Sequence, residues 1–329
     1  MRELFEVDVL GHRLWGTAHP VPAGVSPRTV GFLFLNPGHV PRDGHAGLSA
    51  RAADRLSAQG YPCFRVDLPG LGDTEGPLPD TTAELYRQVC DGGFVPVSLA
   101  LVEALCLRHG LDGLVLGGLC GAATTSTYLA DRDPRGVRGV FLFEPEFYVT
   151  EPVQDEAPPD ASRPQGRRER WLGRARRVTS KVFSFWGWMR MLTLENEYSR
   201  LFRYVPFPRQ ALLDLLLDRD VLPDVANVPL VQAWQRVVQR GTPALVLTAE
   251  GKLRDVFFER IHQAALAHLP HPNVSRFKLT GTNHIFTTGG AGERAVEHLV
   301  RWANTHFPAR GEGATARSEG TWGSTRLAG

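Results

Sequence analysis

The sequence predicts an α/β protein built on a doubly wound, mostly parallel sheet. Three observations carry this expectation. Short apolar runs alternate with helically patterned segments at both ends of the chain. The runs TVGFLFLN (29–36) and GLVLGGL (113–119) are apolar at consecutive positions, as strands covered on both faces are. The second run leads straight into a small-x-Cys-x-small turn, Gly118-Leu119-Cys120-Gly121-Ala122, and then into a helical pattern.

Taken in order, residues 3–18 alternate apolar and polar side chains around Leu10-Gly11-His12, a hairpin signal. The strand at 29–36 ends at Pro37-Gly38. Residues 46–59 carry Leu48, Ala52, Leu56 and Ala58 at near-helical spacing. A strand begins at Cys63-Phe64-Arg65-Val66-Asp67 and is closed by the turn-rich LPGLGDTEG. Helix is predicted over 95–109, strand over 113–119, helix over 121–131 and strand over 137–143. The pattern then breaks. Residues 151–165 hold acids and four prolines, which suits a linker or exposed loop. Residues 208–238 read as helical, with Leu212, Leu213, Leu216 and Leu217 on one face. From Pro243 the sheet pattern resumes: strand at 244–250, helix at 254–268, strand at 274–280, helix at 292–306. The reading is an α/β core of 1–149 and 240–307, interrupted by a helical cap at 150–239. The tail 308–329, rich in Gly, Ser, Thr and Arg, is expected to be disordered.

Composition narrows the function classes. Among 329 residues, 37 Lys and Arg face 35 Asp and Glu, a formal charge of +2, which gives no overall argument for nucleic acid or an anionic membrane. The 43% hydrophobic content excludes wholesale disorder. Four cysteines (Cys63, Cys90, Cys106, Cys120) without a CxxC make neither a disulfide scaffold nor a zinc ribbon. The apolar runs stop far short of the roughly 18 residues of a membrane span. The N-terminus has no basic stretch followed by an apolar one, so a cytoplasmic protein with reduced thiols is expected.

The turn at Cys120 carries chemistry. A sharp passage from strand to helix forces a strained backbone on its central residue, and small neighbours let the two backbones pass closely. Strain presents the side chain at the carboxyl edge of the sheet. The helix N-terminus beneath it supplies N–H groups and a positive dipole end, which are expected to lower a thiol pKa and to stabilise an oxyanion.

With this elbow after the third parallel strand, LNPG after the first and DLPGLGDTEG after the second, the chain resembles the α/β-hydrolase fold, with Cys120 in place of the usual serine. The resemblance covers about 1–149 and 240–306. It implies an ester or thioester hydrolase with a nucleophile–acid–histidine triad. His284, in GTNHIF, stands where the family places its general base. Asp255 is the favoured acid, Glu250 is an alternative beyond the same strand, and Glu144, after the previous strand, is a third. Cys120 would attack the carbonyl, His284 would take and return the proton, and the carboxylate would fix the imidazole. The oxyanion hole needs two N–H donors. One is expected from Gly121, the other from Pro37-Gly38-His39, where only Gly38 or His39 carries an N–H. No metal or organic cofactor is implied.

Other residues have plainer readings. His39 and His45 flank the first loop, either as pocket lining or as solvated residues. Asp73 is expected to organise its turn through backbone hydrogen bonds. Cys63, Cys90 and Cys106 sit in apolar contexts and read as core. The stretch 163–190 holds nine Lys or Arg against one acid, Glu169, together with Trp171, Trp186 and Trp188. One reading is an amphipathic cap helix. The other is a docking surface for a small-molecule acyl substrate carried on coenzyme A or an acyl carrier protein, and nothing else resembles a nucleic-acid motif. Two rivals stand beside hydrolysis: an acyltransferase or cyclase passing the acyl group to an alcohol or amine, and a binding protein with an inactive elbow. Cysteine in this elbow is similar to both polyester synthases and dienelactone-type hydrolases.

Overall fold

The computed structural model describes residues 2–133, 135–149, 222–223, 226–266 and 271–309. The linker after residue 150, the basic aromatic stretch 163–190, the leucine-patterned start of 208–238 and the tail beyond residue 309 lie outside the described residues.

The chain opens with β1 (Glu3–Val9) and β2 (His12–His19), paired antiparallel through a turn with Leu10 at φ 49° and Gly11 at φ 79°. Positive φ at both turn positions matches the right-handed twist of a two-residue hairpin. Then follow β3 (Val30–Phe34), a short 3-10 turn (His45–Gly47), α1 (Leu48–Ser57) and β4 (Cys63–Val66). Next come α2 (Thr82–Cys90), α3 (Val95–His109), β5 (Gly113–Leu119), α4 (Gly121–Arg132) and β6 (Val137–Phe143). After the break come α5 (Val228–Gln239), β7 (Ala244–Ala249), α6 (Leu253–Leu266), β8 (Val274–Leu279) and α7 (Ala291–His306).

The strands form one eight-stranded sheet in the order β1-β2-β4-β3-β5-β6-β7-β8. The hairpin strands run antiparallel at one edge, and β4 through β8 are parallel. Alternate residues of one strand feed different layers, which explains the unbroken apolar runs. Phe32, Phe34, Val115, Phe141 and Leu247 pack with Leu56 of α1 and Leu299 and Trp302 of α7. Leu33, Leu114, Leu116, Leu142 and Val246 pack with α2, α3, α4, α5 and α6 on the other face. Central α4 is buried along nearly its whole length, from Gly121 to Ala130, because helices flank it on either side. Cys63, Cys90 and Cys106 are free thiols, the first two buried and the third half-buried.

Two elements differ from the expectation. Helix α2 was not foreseen, although Thr81 accepts from the Glu84 N–H and Glu84 returns the bond, the reciprocal capping box that marks a helix start. The helix expected at the end of the cap belongs to the core. Leu230, Val231, Trp234 and Val237 of α5 are buried in the sheet's apolar layer, and Arg236 forks onto Asp131 of α4 at 2.8 Å. The core therefore resumes by residue 226 rather than 240. An apolar stripe on a helix says only that it is covered, and the structure shows that the sheet layer covers it.

Candidate functional site

Sheet topology collects the sequence-derived residues at one edge. The loops after β3, β5, β6, β7 and β8 all leave the carboxyl ends of adjacent parallel strands, where α/β sheets present their sites. Cys120 forms the turn from β5 to α4 with φ 54° and ψ −115°. Its N–H donates to Phe143 O at 2.9 Å, which ties the elbow to the end of β6. Gly118, at φ 146°, could not carry a side chain: a Cβ there would lie 2.7 Å from the Ala122 Cβ. Five described non-glycine residues have positive φ. Three of them, Cys120, Glu144 and Phe286, belong to this edge. Strain of this kind persists only where the surroundings enforce it, and it gathers at functional sites.

The loop after β3 reaches the start of α4. A Cβ built on Gly121 would meet Gly38 N at 3.2 Å, so the two glycine backbones pass closely at the elbow. Among the described residues, neither the Gly121 nor the Gly38 N–H has a hydrogen-bond partner. Two unengaged N–H groups beside Cys120 are what an oxyanion would use. His39 is exposed on the same loop.

His284 sits within a turn after β8. Phe286 N donates to Asn283 O at 3.1 Å, and Thr287 N donates to Asn283 Oδ1 at 3.0 Å. Phe286 is buried against Phe143, with ring centroids 6.0 Å apart, which anchors the turn over the end of β6. The His284 ring is exposed, and among the described residues it makes no side-chain hydrogen bond. Partial desolvation, Arg254, His45 and Lys252 together lower its pKa to about 4. His45 thus belongs to the site's surroundings, and its own pKa is lowered by burial, His39 and Arg254.

The three carboxylates have different fates. Asp255 is buried. It accepts from Thr248 Oγ1 at 2.9 Å and Gly251 N at 2.9 Å, and Lys278 Nζ lies 3.1 Å away. Among the described residues no hydrogen bond joins it to His284; its carboxylate links Thr248 of β7, Gly251 and Lys278 of β8. Glu250 is exposed, with its N–H donating to Leu279 O. Glu144 is fully buried directly after β6, whose Phe143 pairs with Leu119. Its side chain accepts from Ala249 N at the end of β7. It therefore lies beside Cys120 and is tied to the end of β7.

Two site residues escaped the sequence reading. Arg254, in the first turn of α6, is ion-paired with the buried Glu146. Burial opposes its charge, but Glu146, Cys120, Tyr148 and Glu144 hold it firmly protonated. Its only sequence signal was one basic residue five positions beyond a strand. Cys120 is 9% exposed, and burial raises its thiol pKa; Arg254 pulls it down and Glu144 pushes it up. The net direction is therefore upward, opposite to the lowering expected from the helix N-terminus, with burial the largest cause. Asp73 is likewise not the organiser of its turn: its carboxylate is exposed and pairs with Arg42 at 2.7 Å, while Asp67 holds the turn. Among the described residues no cluster of His, Cys, Asp and Glu is arranged to hold a metal ion, and no single helix is long and apolar enough to cross a membrane.

The fold is that of the α/β hydrolases. The haloalkane dehalogenase DatA from Agrobacterium tumefaciens C58 is similar over 93% of this chain and 97% of its own, with a TM-score of 0.51 and 18% identity. A proline iminopeptidase from Mycobacterium smegmatis is similar over 92% and 98%, with a TM-score of 0.55 and 13% identity. XC6422 from Xanthomonas campestris, described as an α/β serine hydrolase without a lid, is similar over 94% and 96%, with a TM-score of 0.52 and 13% identity. No protein-family model matches the sequence, and no curated protein matches it significantly. At such identities the likeness establishes the fold, and activity has to be argued from the site.

Proposed function

We propose that this α/β-hydrolase-fold protein is a hydrolase that cleaves an ester or thioester through an acyl-cysteine intermediate on Cys120. The observation that carries the reading is the strained backbone of Cys120 at the β5–α4 turn, with the unengaged N–H groups of Gly121 and Gly38 beside it. A merely structural cysteine has no need of that backbone conformation.

The pKa directions support a neutral resting pair. A thiol raised by burial and an imidazole lowered to about 4 are both neutral at pH 7. The nucleophile is therefore not a standing thiolate–imidazolium pair. His284 acts as general base: as the sulfur–carbon bond forms, the thiol proton passes to the imidazole, and the Gly121 and Gly38 N–H groups receive the oxyanion. The imidazolium then protonates the leaving alcohol or thiol as its bond to the carbonyl breaks. A water molecule, deprotonated by His284, releases the acid and restores the thiol. Hydrogen bonds of such a base tighten on substrate binding, which accommodates an exposed ring in the free protein. We assign the acid to Glu144 rather than Asp255. Glu144 is buried beside the elbow and reaches toward β7, whereas the Asp255 carboxylate is taken up by Thr248, Gly251 and Lys278. Arg254 offsets the negative charge that develops on sulfur.

The test is intact mass after incubation with p-nitrophenyl esters and acyl thioesters, alongside Cys120→Ala. A Cys120-dependent acyl adduct that decays to free acid supports the hydrolase. An adduct that persists until an alcohol or amine is added makes the enzyme a transferase. Turnover unchanged in Cys120→Ala overturns the reading.

A further inference from the structure

We propose that Asp67 is the positioning residue of the oxyanion hole, holding the loop 36–42 so that the Gly38 N–H stays against the first turn of α4. The inference rests on the oxyanion role given to Gly38 above, and it concerns a residue that touches no substrate. Asp67 directly follows β4, and β4 lies next to β3, whose exit loop begins at Asn36. Its carboxylate is fully buried. Four donors converge on it: Asn36 Nδ2 at 2.8 Å, Arg42 N at 2.7 Å, the Arg42 guanidinium, and Asp73 N at 3.1 Å.

These partners are not spread at random. Asn36 and Arg42 bracket Gly38, so one carboxylate grips both ends of the loop that carries the donor. The grip is doubled at each end. Asn36 Nδ2 also donates to Val40 O at 3.0 Å, and its Oδ1 accepts from Leu68 N at 2.8 Å. Arg42 Nε donates to Thr17 Oγ1 at 3.0 Å, which anchors the loop to β2. Asp67 itself is fixed through its N–H to Trp15 O at 2.9 Å, and Thr74 Oγ1 donates to Asp67 O at 2.8 Å. Among the described residues the loop has no helix or strand hydrogen bonds of its own around Gly38, so the placement of that N–H is inherited from this carboxylate.

The chemistry requires an acid at this position. A carboxylate offers acceptors on both oxygens, enough for four donors. An asparagine offers one acceptor oxygen, and its NH2 would face an N–H that also donates, leaving a buried donor pair unsatisfied. The loop would shift to relieve it. A donor displaced from the developing oxyanion forfeits about 10²–10³-fold in kcat.

The experiment compares Asp67→Asn and Arg42→Gln with the wild type in three readouts. The first is acylation of Cys120 by a p-nitrophenyl ester, which needs thiol and oxyanion hole. The second is alkylation of Cys120 by iodoacetamide, which needs the thiol alone. The third is amide hydrogen exchange at residue 42, whose N–H donates to Asp67, and along α4. Asp67→Asn is expected to lose about a hundredfold or more in acylation. Its alkylation should be unchanged, with faster exchange at residue 42 and α4 still protected. Arg42→Gln keeps the backbone bond to Asp67 and should show the same pattern more weakly; it serves alone if Asp67→Asn does not fold. Acylation and alkylation falling together, or unchanged acylation with unchanged exchange at residue 42, would overturn the proposal. If the wild type forms no Cys120 adduct, the hydrolase reading is what fails. The exchange at residue 42 then decides by itself whether Asp67 holds the loop.

Discussion

Exchanging two carboxylates separately, Asp255→Asn and Glu144→Gln, separates structural from chemical work at this site. Asp255 accepts from Thr248 Oγ1 and Gly251 N, both at 2.9 Å. An asparagine can keep one of these with its remaining oxygen, but its NH2 then confronts the other donor. Losing one buried hydrogen bond and leaving a donor unmatched costs about 1–3 kcal/mol. The Lys278 contact adds less than about 1 kcal/mol, because that ammonium is 45% exposed and screened. Asp255→Asn should therefore unfold at lower denaturant concentration while acylating Cys120 at the wild-type rate. Glu144→Gln keeps an oxygen for Ala249 N and should remain folded. What it removes is the negative charge that stabilises the imidazolium. Replacing a triad carboxylate by its amide costs on the order of 10⁴-fold in kcat, about 5.5 kcal/mol of barrier. The assay is single-turnover acylation by a p-nitrophenyl ester, with urea denaturation of each variant in parallel. A folded Asp255→Asn protein that loses acylation, beside a Glu144→Gln protein that keeps it, would refute the assignment and return the acid to Asp255.

Three further outcomes are expected. Because the His284 pKa is lowered to about 4, the base stays neutral well into acid, so the acid limb of kcat/KM should fall near pH 4. A limb at pH 6.5 or above contradicts the base role in this environment. Arg254→Gln removes the cation that draws the Cys120 pKa down, so alkylation at a fixed alkaline pH should slow about tenfold, whereas Arg254→Lys should change it much less; equal rates in all three proteins would dismiss the guanidinium. Away from the site, His19 is buried, with Nε2 accepting from Arg65 Nε and Nδ1 against Asp54, both at 2.8 Å. Burial first, then Arg65, lower its pKa to about 4 from an ordinary 6.5. The unfolded chain then binds the extra proton, so this contribution is complete above pH 6.5 and is lost as pH falls toward 4, up to about 3 kcal/mol. Unfolding free energies of wild type and His19→Gln should therefore converge as pH falls through that window, and parallel curves would exclude the linkage.

Much of this protein is legible in its sequence because the signals involved are local. Strand runs at 29–36, 113–119 and 137–143 are apolar at consecutive positions because two helical layers cover them, and burial on both faces leaves that mark wherever it occurs. The elbow is legible for a similar reason. Only small residues fit at 118 and 121, where a Cβ would meet Ala122 or Gly38, and a nucleophile between them is a short, ordered pattern. The hairpin turn at Leu10-Gly11 and the capping box at Thr81–Glu84 are equally local, although the second went unread.

What needed the tertiary structure is whatever depends on which strands are neighbours and which way a side chain points. Asp255, Glu250 and Glu144 are all acids placed just beyond strands, and sequence spacing favours the first. Only the packed sheet shows Asp255 turned toward Thr248 and Lys278, and Glu144 lying beside Cys120. The same holds for α5, whose apolar stripe fits a cap or a core until Trp234 is seen inside the sheet layer. It holds for the thiol, whose pKa is raised by burial that only the packed fold creates. Asp67 and Arg254 act on partners far from them in the chain, through β3–β4 adjacency and through Glu146. Local sequence determines strand, helix and elbow because backbone geometry and burial periodicity are short-ranged. Electrostatics and hydrogen bonding act through space, so the partners of the charged residues were decided only when the sheet brought its strand ends together.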